Sequence, residues 1–349
     1  MSFFRDRVDL MTGYEPGEQP IPGAKVIKLN TNENPYPPSP LAVNALRNMD
    51  IEALRLYPDP FSGAVRKAVS GILNVAEDRI IVGNGSDDLL AMIIRACCGP
   101  GRPAVYPMPT YVLYRTLAQI QEADVIEIPF DDDYRLPFEE LVEAQGAVTI
   151  IASPNSPSGT VTPAPVLDEL ASKLSGVLVI DEAYTDFAEE NALELAAKHE
   201  NVIILRTLSK GYSLAGIRVG FGVACPALME GLFKVKDSYN VSAMGCAIAA
   251  AAISDQDYKK ANAEKVKRSR EKLASALVGL GFRIWPSQAN FLLARPPDGN
   301  AEYIYKYLKS KGILVRYFKQ PRLEDKLRIS IGTDEQNFIL VRTISGLLG

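Results

Sequence analysis

The chain alternates short, apolar runs with longer stretches in which apolar residues recur at helical spacing. Seven runs predict strands: RIIV 79–82, PAVYP 103–107, DVIEI 124–128, AVTIIA 147–152, GVLVI 176–180, NVIIL 201–205 and RVGFGVA 218–224. Helical patterns lie between most of them, for example at 86–97, 110–121 and 163–174. Because strands that alternate with helices form parallel sheets covered on both faces, the pattern predicts an α/β fold with a mostly parallel seven-stranded sheet covered by helices.

The pattern changes after about residue 240, where long helices are predicted at 242–253 and 256–279. Shorter elements follow: strands FRIW 282–285, NFLLA 290–294, ILVR 313–316 and KLRIS 326–330, and a helix at 300–311. The last helix begins near Thr333, and Gln336 gives the spacing of a capping box. We therefore expect two parts, a large domain over 41–245 and a smaller α+β domain over 246–349 to which the Pro/Gly-rich residues 1–40 add an arm.

Composition excludes several classes of protein. The 349 residues are 47% hydrophobic and 23% charged, which is ordinary for a soluble globular protein of roughly two domains. The net charge of −4 argues against nucleic-acid binding, and no apolar run approaches the ~20 residues of a membrane span. The four cysteines, at 97, 98, 225 and 246, lack metal-ligand spacing and favour a reducing, cytoplasmic setting.

The chain contains a single histidine, His199, in the polar stretch AKHEN. Catalysis by Ser–His or Cys–His pairs, and multi-histidine metal sites, require a histidine placed in the site. If the protein is an enzyme, we expect its proton transfers to be carried out by lysine, tyrosine or a carboxylate.

The stretch IIVGNGSDDLLAMII, which starts at residue 80, reads as a strand, a glycine-containing turn and a helix. Ser86, Asp87 and Asp88 open that helix. The free N–H groups at a helix start bind anions, so the turn is a candidate phosphate site. The simpler interpretation is that Ser86 and Asp87 only cap the helix.

Polar or aromatic residues follow three other predicted strands at their carboxyl ends, where open α/β sheets bind ligands. Asp181 follows VLVI, with Tyr184 three residues later; Asn155 follows AVTIIA; Tyr111 follows PAVYP and begins the next predicted helix. Asp181 is placed either to pair with a protonated ring nitrogen or to cap a helix. Asn155 and Tyr111 are placed either to contact a planar ligand or to serve turn and packing roles.

The stretch RTLSKGYSLAGIRVG, residues 206–220, adds Lys210 and Arg218 among small and apolar residues. Lysine is seldom buried without a partner, although two solvated cations at a helix start are the simpler interpretation. Together with an anion site, a carboxylate for a ring nitrogen and a stacking aromatic, the lysine indicates a phosphorylated, planar, nitrogen-bearing aldehyde. Pyridoxal 5′-phosphate (PLP) has this chemistry.

These motifs, in this order, resemble the fold-type I PLP-dependent aminotransferases, and the histidinol-phosphate aminotransferase family is the most similar. The resemblance runs nearly end to end through MTGYEPGEQP, LNTNENPYPPSP, YPDP, GNGSDDLL, PTYVLY, SPNSPSGT, IDEAYTDF, RTLSKGYSLAGIRVGFG, SQANFLLAR, GILVRYF and LRISIGT. It implies an aspartate-aminotransferase-like fold and a homodimer with shared active sites. It also implies transamination of histidinol phosphate with 2-oxoglutarate to imidazole acetol phosphate and glutamate, a step of histidine biosynthesis.

The resemblance also implies roles around the cofactor. Lys210 would bond to PLP and carry protons, Asp181 would pair with the pyridine nitrogen, and Tyr111 would stack on the ring. Tyr184 and Asn155 would approach the 3′-oxygen. The cofactor phosphate would be held by a set of amides, hydroxyls and one cation: the backbone of Ser86, Asp87 and Asp88, with Thr207, Ser209 and Arg218.

Further residues are implied at the cofactor phosphate and in the substrate pocket. Tyr57 of the partner subunit would reach the cofactor phosphate, and Arg328 would hold the substrate carboxylate. Tyr14, Asn290 and Arg316 would line the pocket, with Arg316 as the candidate for the substrate phosphate. Arg316 is alternatively a surface residue at a strand end.

The chain departs from the family pattern in one motif. Many members read Asn-Asn-Pro-Thr-Gly where this chain reads Asn155-Ser156-Pro157-Ser158-Gly159. Either Asn155 or Ser156 must then serve the 3′-oxygen. Two other reactions on the same scaffold also stay open, those of an aromatic amino-acid aminotransferase and of a threonine-phosphate decarboxylase.

Overall fold

Two β-sheets organise the chain, in a computed structural model that describes residues 2–13, 17–21, 23 and 25–348. The strands are β1 Ile27–Leu29, β2 Ile80–Gly83, β3 Ala104–Met108, β4 Val125–Pro129, β5 Val148–Ala152, β6 Val177–Asp181, β7 Val202–Thr207, β8 Gly220–Ala224, β9 Arg283–Ile284, β10 Phe291–Arg295, β11 Ile313–Tyr317 and β12 Leu327–Ser330.

Helices cover both sheets. Their bounds are α1 Asp6–Leu10, α2 Pro40–Arg47, α3 Gly63–Leu73, α4 Ser86–Cys97, α5 Leu113–Ile120, α6 Phe138–Ala144, α7 Ala164–Lys173, α8 Leu195–Lys198, α9 Pro226–Val235, α10 Ala243–Ser254, α11 Gln256–Gly279, α12 Ala301–Ser310 and α13 Asp334–Leu348. Among the described residues, no helix is both long and apolar enough to span a bilayer.

The larger sheet has seven strands in the order β2-β8-β7-β6-β5-β3-β4. Strand β8 runs antiparallel to both of its neighbours, and the other pairings are parallel. The predicted α/β architecture with a mostly parallel seven-stranded sheet is therefore confirmed.

The central strands are buried on both faces, because their side chains alternate across the sheet. Ile150 and Val179 belong to the apolar cluster on one face, and Ile151 and Ile180 to the cluster on the other. With both faces covered mainly by aliphatic side chains, the predicted site residues lie at the strand ends or just beyond them.

Two predicted boundaries were wrong at the positions that matter for the site. Strand β8 begins at Gly220 rather than at residue 218, because Arg218 has a φ of 53° and closes a 3-10 turn. Helix α5 begins at Leu113, so Tyr111 lies in the turn before the helix rather than at its start. That turn is fixed by the Thr110 hydroxyl, which donates to Asn155 Oδ1 at 2.8 Å.

The smaller sheet has the order β1-β11-β12-β10-β9 and packs with α11, α12 and α13 around a separate apolar cluster. Its edge strand β1 comes from the N-terminal segment and pairs in parallel with β11. The predicted capping box is present: Thr333 N donates to Gln336 Oε1 at 3.0 Å, and Gln336 N donates to Thr333 Oγ1 at 3.3 Å.

Candidate active site

Four of the predicted site residues lie just beyond the carboxyl ends of parallel strands of the larger sheet, or at such an end. Asp181 is the last residue of β6, between β5 and β7. Asn155, Lys210 and Tyr111 each follow a strand, β5, β7 and β3, by three residues. Since parallel strands end at the same edge, the topology brings the four residues to one edge of the sheet.

The Asp181 carboxylate is buried at this edge, with 5% of the residue exposed. The Tyr114 hydroxyl donates to its Oδ2 at 2.7 Å, and the Ala183 amide donates to its Oδ1 at 3.1 Å. Burial raises the pKa of Asp181 to about 6, with smaller contributions from the nearby Asp87 and Glu182 carboxylates, and the two hydrogen bonds oppose this rise. A buried carboxylate of this kind gains a great deal from a cationic partner.

The start of α4 and the Arg218 guanidinium approach each other closely across two glycines, which leave no room for a side chain between them. Gly85, the N-cap residue, has a φ of 90° and a ψ of 167°, a combination that is essentially restricted to glycine. A Cβ atom on Gly85 would lie 2.7 Å from Arg218 Nη2, and one on Gly220 would lie 2.6 Å from Ser86 N. Both glycines are therefore needed to bring the first-turn N–H groups of α4, which lack intrahelical partners, close to a guanidinium.

Two hydroxyl groups and the Asp87 carboxylate lie around the Arg218 guanidinium. Arg218 Nη1 donates to Ser209 Oγ at 3.2 Å, and Thr207 Oγ1 donates to the same oxygen at 3.0 Å. Arg218 Nη2 donates to Asp87 Oδ2 at 3.1 Å, and the Tyr111 hydroxyl donates to Asp87 Oδ1 at 3.2 Å. The Asp87 side chain therefore holds the arginine and the aromatic ring and does not cap its own helix.

The Asp88 side chain accepts hydrogen bonds within the turn that precedes α4. Its Oδ2 accepts from Asn84 N at 2.8 Å and from Asn240 Nδ2 at 2.8 Å. The Asn240 amide also donates to the carbonyl of Val82 at 3.1 Å. These bonds fix the turn between β2 and α4.

Lys210 meets the N-terminal segment. Its Nζ donates to the carbonyl of Thr31 at 3.2 Å and lies 5.6 Å from the centroid of the Tyr184 ring. The Tyr184 hydroxyl accepts from Asn32 Nδ2 at 3.0 Å, and Asn34 Nδ2 donates to the carbonyl of Lys210 at 3.1 Å. The segment that continues β1 thus positions both the lysine and the tyrosine.

Asn155 and Ser156 point to different partners. Asn155 is 2% exposed; its Nδ2 donates to Ser158 Oγ at 2.9 Å while its Oδ1 accepts from Thr110. Ser156 Oγ accepts from Arg328 Nη1 at 3.0 Å. Asn155 therefore ties its turn to the segment before α5, and Ser156 faces the smaller sheet.

Two arginines face each other on neighbouring strands of the smaller sheet. Arg316 of β11 pairs in register with Arg328 of β12, and their Cζ atoms lie 5.3 and 5.5 Å from the centroid of the Phe318 ring. Arg328 Nη2 also donates to the carbonyl of Asn30 at 3.0 Å. Because Lys210 bonds to the next carbonyl along the chain, that of Thr31, the guanidinium and the amine meet the same short segment.

The remaining predicted residues stand as follows. Asn290 is fully buried, and its Nδ2 donates to the carbonyl of Asn32 at 2.9 Å. Tyr57 is 81% exposed and stacks on Tyr239, with ring centroids 4.4 Å apart, so it lies on the surface of the chain. Tyr14 lies outside the described residues.

Sequence reasoning missed several residues that shape this edge. Asn32 and Asn34 stand in the quoted segment LNTNENPYPPSP, whose density of asparagine was the available signal. Tyr114 stands in PTYVLY, where a second tyrosine three residues after Tyr111 reads as ordinary helix packing. Phe318 follows a strand end and gave no signal of contact with two arginines.

The donor set fits PLP. The glycine-bounded space at the start of α4, with Arg218 and Ser209, has the chemistry for a phosphate. The buried Asp181 has the chemistry for a protonated ring nitrogen, because a cation would offset the burial that raises its pKa. The Lys210 amine at the same edge has the chemistry to bond to an aldehyde.

Comparison with known proteins is consistent with this chemistry. The family model "Aminotransferase class I and II" matches residues 24–344. The chain is 61% identical over 347 residues to histidinol-phosphate aminotransferase 1 of Trichormus variabilis, covering 99% of both chains.

Solved structures show the same fold. The histidinol-phosphate aminotransferase from Sinorhizobium meliloti, solved in complex with pyridoxal-5′-phosphate, superposes with a TM-score of 0.90 at 27% identity, over 100% of this chain and 98% of that chain. The L-threonine-O-3-phosphate decarboxylase from Porphyromonas gingivalis shares the fold alone, with a TM-score of 0.82 at 21% identity over 93% of this chain and 99% of that chain. The resemblance seen in the motifs is confirmed, and the chain belongs to the PLP-dependent histidinol-phosphate aminotransferase family, within the class I and II aminotransferases.

Proposed function

We propose that the protein transfers the amino group of histidinol phosphate to 2-oxoglutarate, with PLP as cofactor. The observation that carries this proposal is the pair of arginines, Arg316 and Arg328, which meet across β11 and β12 next to the segment that contacts Lys210. A site of this charge suits substrates that carry a phosphate or carboxylate close to the reacting amino group.

PLP supplies an aldehyde that takes up the amino group and a ring that accepts the electron pair of the substrate α-carbon. Asp181 would hold a proton at the ring nitrogen, since its buried carboxylate would be stabilised by a positive partner. Tyr111 would stack on the ring, and the Tyr184 hydroxyl with Asn155 or Ser156 would serve the 3′-oxygen. We place the cofactor phosphate on the backbone amides of Ser86, Asp87 and Asp88, with Thr207, Ser209 and Arg218 as side-chain partners.

Lys210 has two roles in this proposal. Its Nζ would be the point of attachment of the cofactor, and its free amine would move the proton at the substrate α-carbon. The carbonyl of Thr31, which accepts from Nζ at 3.2 Å, gives the amine a resting position beside the Tyr184 ring.

The two arginines serve both half-reactions. Histidinol phosphate carries a phosphate and no carboxylate, whereas 2-oxoglutarate carries carboxylates and no phosphate. We propose that Arg328 holds the carboxylate of the 2-oxo acid and that Arg316 holds the substrate phosphate, with Asn290 and Tyr14 lining the pocket. Guanidinium groups bind both anions in a bidentate manner, which suits a site that alternates between them.

The test is a panel of amino substrates on the purified, PLP-loaded protein. Histidinol phosphate, phenylalanine, tyrosine and phosphothreonine are each added without a 2-oxo acid, and the loss of visible absorption of the bound cofactor is recorded together with the products. Fast loss with histidinol phosphate and formation of its keto product supports the proposal. Preference for phenylalanine or tyrosine, or carbon dioxide release from phosphothreonine, would instead establish one of the two alternative reactions.

Replacement of Arg316 by alanine is expected to raise KM for histidinol phosphate about 10- to 100-fold, because one charge-assisted contact to the phosphate is lost. Phenylalanine, which has no phosphate, should be converted with little change. The exposed Arg342 gives a control, since Arg342→Ala removes a cation from the same part of the chain. Equal losses with both substrates would assign Arg316 a general structural role.

We also propose a homodimer in which Tyr57 reaches the cofactor phosphate of the partner subunit. The exposed Tyr57 is flanked by other exposed apolar side chains, Leu54, Leu56 and Phe61, a concentration that favours an interface. Light scattering should give the mass of two chains, and Tyr57→Phe should weaken PLP binding by about 3- to 10-fold, the loss of one hydrogen bond. A monomer that binds PLP as tightly as the wild type would contradict this arrangement.

We also propose a division into two domains and a cellular setting. Residues 41–245 would form the PLP-binding domain, and residues 246–349 with the arm 1–40 the smaller domain, in keeping with the separate sheets and apolar clusters. The four cysteines are free thiols, which suits a reducing, cytoplasmic setting.

A further inference from the structure

The Tyr114 side chain lies in the first turn of α5, completely buried beneath the candidate cofactor site. Its hydroxyl is 2.7 Å from Asp181 Oδ2. Its ring meets the rings of Tyr106 and Tyr111 edge-on, with centroids 5.6 Å away in both cases. The hydroxyl is therefore held at the carboxylate by rigid aromatic packing.

The direction of this hydrogen bond is fixed. Burial, and then the Asp181 charge, raise the pKa of Tyr114 well above that of an ordinary tyrosine. The phenol therefore stays protonated and is the donor of the hydrogen bond to Asp181. The acceptor is a buried carboxylate, and a charge-assisted bond is strong in a buried setting.

We propose that Tyr114 is a positioning residue of the reaction: by donating to Asp181 Oδ2, it keeps this carboxylate charged and directs it at the cofactor ring nitrogen. The inference deepens the proposed function and rests on the PLP-binding part of it. The amide of Ala183 holds the other oxygen, so the two donors together fix the plane of the carboxylate.

The charges around Asp181 explain why a donor is needed. Asp87 of α4 and Glu182, the next residue after β6, both disfavour the charged form of Asp181, as does burial. The hydrogen bonds from Tyr114 and Ala183 favour the charged form. The phenols of Tyr111 and Tyr184 add smaller contributions that also raise the pKa of Tyr114.

Loss of the Tyr114 hydroxyl would therefore raise the pKa of Asp181 beyond its already elevated value. A more basic carboxylate competes better for the proton that it shares with the ring nitrogen. That proton would then spend more time on the carboxylate, and the ring would accept electrons less readily.

The first experiment compares Tyr114→Phe with Tyr106→Phe. Tyr106 is a fitting control because it is a buried neighbour of Tyr114 whose hydroxyl donates to Glu127 at 2.8 Å. The dissociation constant of PLP is measured by visible absorption across pH. We expect Tyr114→Phe to weaken PLP binding about 10- to 100-fold. The acid limb, the low-pH range in which PLP binding weakens, should move to higher pH, because the charged form of Asp181 then requires a higher pH. Tyr106→Phe should leave the limb in place.

The second experiment uses a cofactor analogue in which the ring nitrogen is replaced by carbon. If Tyr114 acts through Asp181 on that nitrogen, Tyr114→Phe should not weaken binding of the analogue, and it should add little in an Asp181→Asn background. Equal weakening with PLP and with the analogue would overturn the proposal in favour of packing, as would an unmoved acid limb.

A variant that keeps the phenol provides a second test if Tyr114→Phe does not fold. Incorporation of 3-fluorotyrosine at position 114 makes the hydroxyl a stronger donor, so the acid limb should move to lower pH; movement in the other direction would overturn the proposal. With an active wild type, Tyr114→Phe should lower kcat and leave KM for the amino substrate unchanged. The binding experiments contain no amino substrate, so they test the role of Tyr114 even if the protein does not convert histidinol phosphate.

Discussion

Replacement of Lys210 by alanine is expected to abolish transamination, lowering kcat by at least about 10⁴-fold. The variant loses both the attachment point of the cofactor and the amine that moves the substrate proton, and proton transfer alone contributes about 10²- to 10⁴-fold in enzymes. The Nζ of Lys210 reaches the carbonyl of Thr31 and lies beside the Tyr184 ring. The measurements are kcat and the visible absorption of the cofactor after removal of unbound PLP.

Two further measurements separate chemistry from structure. The exposed Lys234, paired with Glu230 one turn away, gives a control in which Lys234→Ala should keep full activity. A small amine such as methylamine should partly restore turnover to Lys210→Ala, since it can carry the missing proton. Full activity in Lys210→Ala would refute the mechanism, whereas loss of PLP binding with no rescue would restrict Lys210 to attachment.

Much of the fold was predictable because both periodicities in the sequence are clear. The aliphatic runs around Ile150 and Val179 are buried on both faces, and such strands leave few alternatives to a parallel sheet. Helices α4 and α11 have the predicted bounds, since Gly85 precedes α4 and Gly281 follows α11, both with a positive φ that favours a turn. The start of β8 was less predictable, because the left-handed conformation of Arg218 depends on its contacts with Ser209 and Asp87.

The position of the candidate site was also predictable, because polar residues at strand ends must meet at one edge. What could not be predicted were contacts between distant segments. Asn32 reaches Tyr184 only when β1 joins the smaller sheet. Tyr114 reaches Asp181 only when α5 packs beside α4 on one face of the larger sheet. Neither pair has a sequence spacing that would signal a contact.

Replacement of Asp181 by asparagine is expected to lower kcat about 10²- to 10⁴-fold. The amide keeps the size of the side chain but removes the charge that opposes the ring-nitrogen cation, and breaking a buried charge pair costs about 3–5 kcal/mol. The loss should appear in kcat, with KM for the amino substrate little changed, because the charge acts on the cofactor ring. A wild-type kcat in Asp181→Asn would contradict the role given to this carboxylate.

The same substitution should stabilise the protein in the absence of PLP, which is the opposite of its effect on activity. The pKa of Asp181 is about 6 in the folded chain against 3.8 for an ordinary aspartate, so the folded protein binds this proton more tightly than the unfolded chain. Its stabilising contribution is present below pH 3.8 and is lost as pH rises to about 6, leaving a penalty of about 3 kcal/mol above that pH. Asp181→Asn removes the penalty, so the gain in unfolding free energy should grow from about pH 4 to pH 6 and then stay constant.

The adjacent Glu182 provides the matched control for this stability prediction. It is also a buried carboxylate, but its Oε2 accepts from Arg206 Nε at 2.8 Å and its Oε1 accepts from the Ala192 amide. Glu182→Gln should therefore destabilise the protein, because it leaves Arg206 without its charged partner. Urea unfolding without PLP from about pH 4 to pH 8 measures both variants, and added PLP should then stabilise the wild type more than Asp181→Asn. If both substitutions destabilised equally, Asp181 would be held by its protein contacts alone, whereas opposite signs would show that its buried charge is kept for the cofactor.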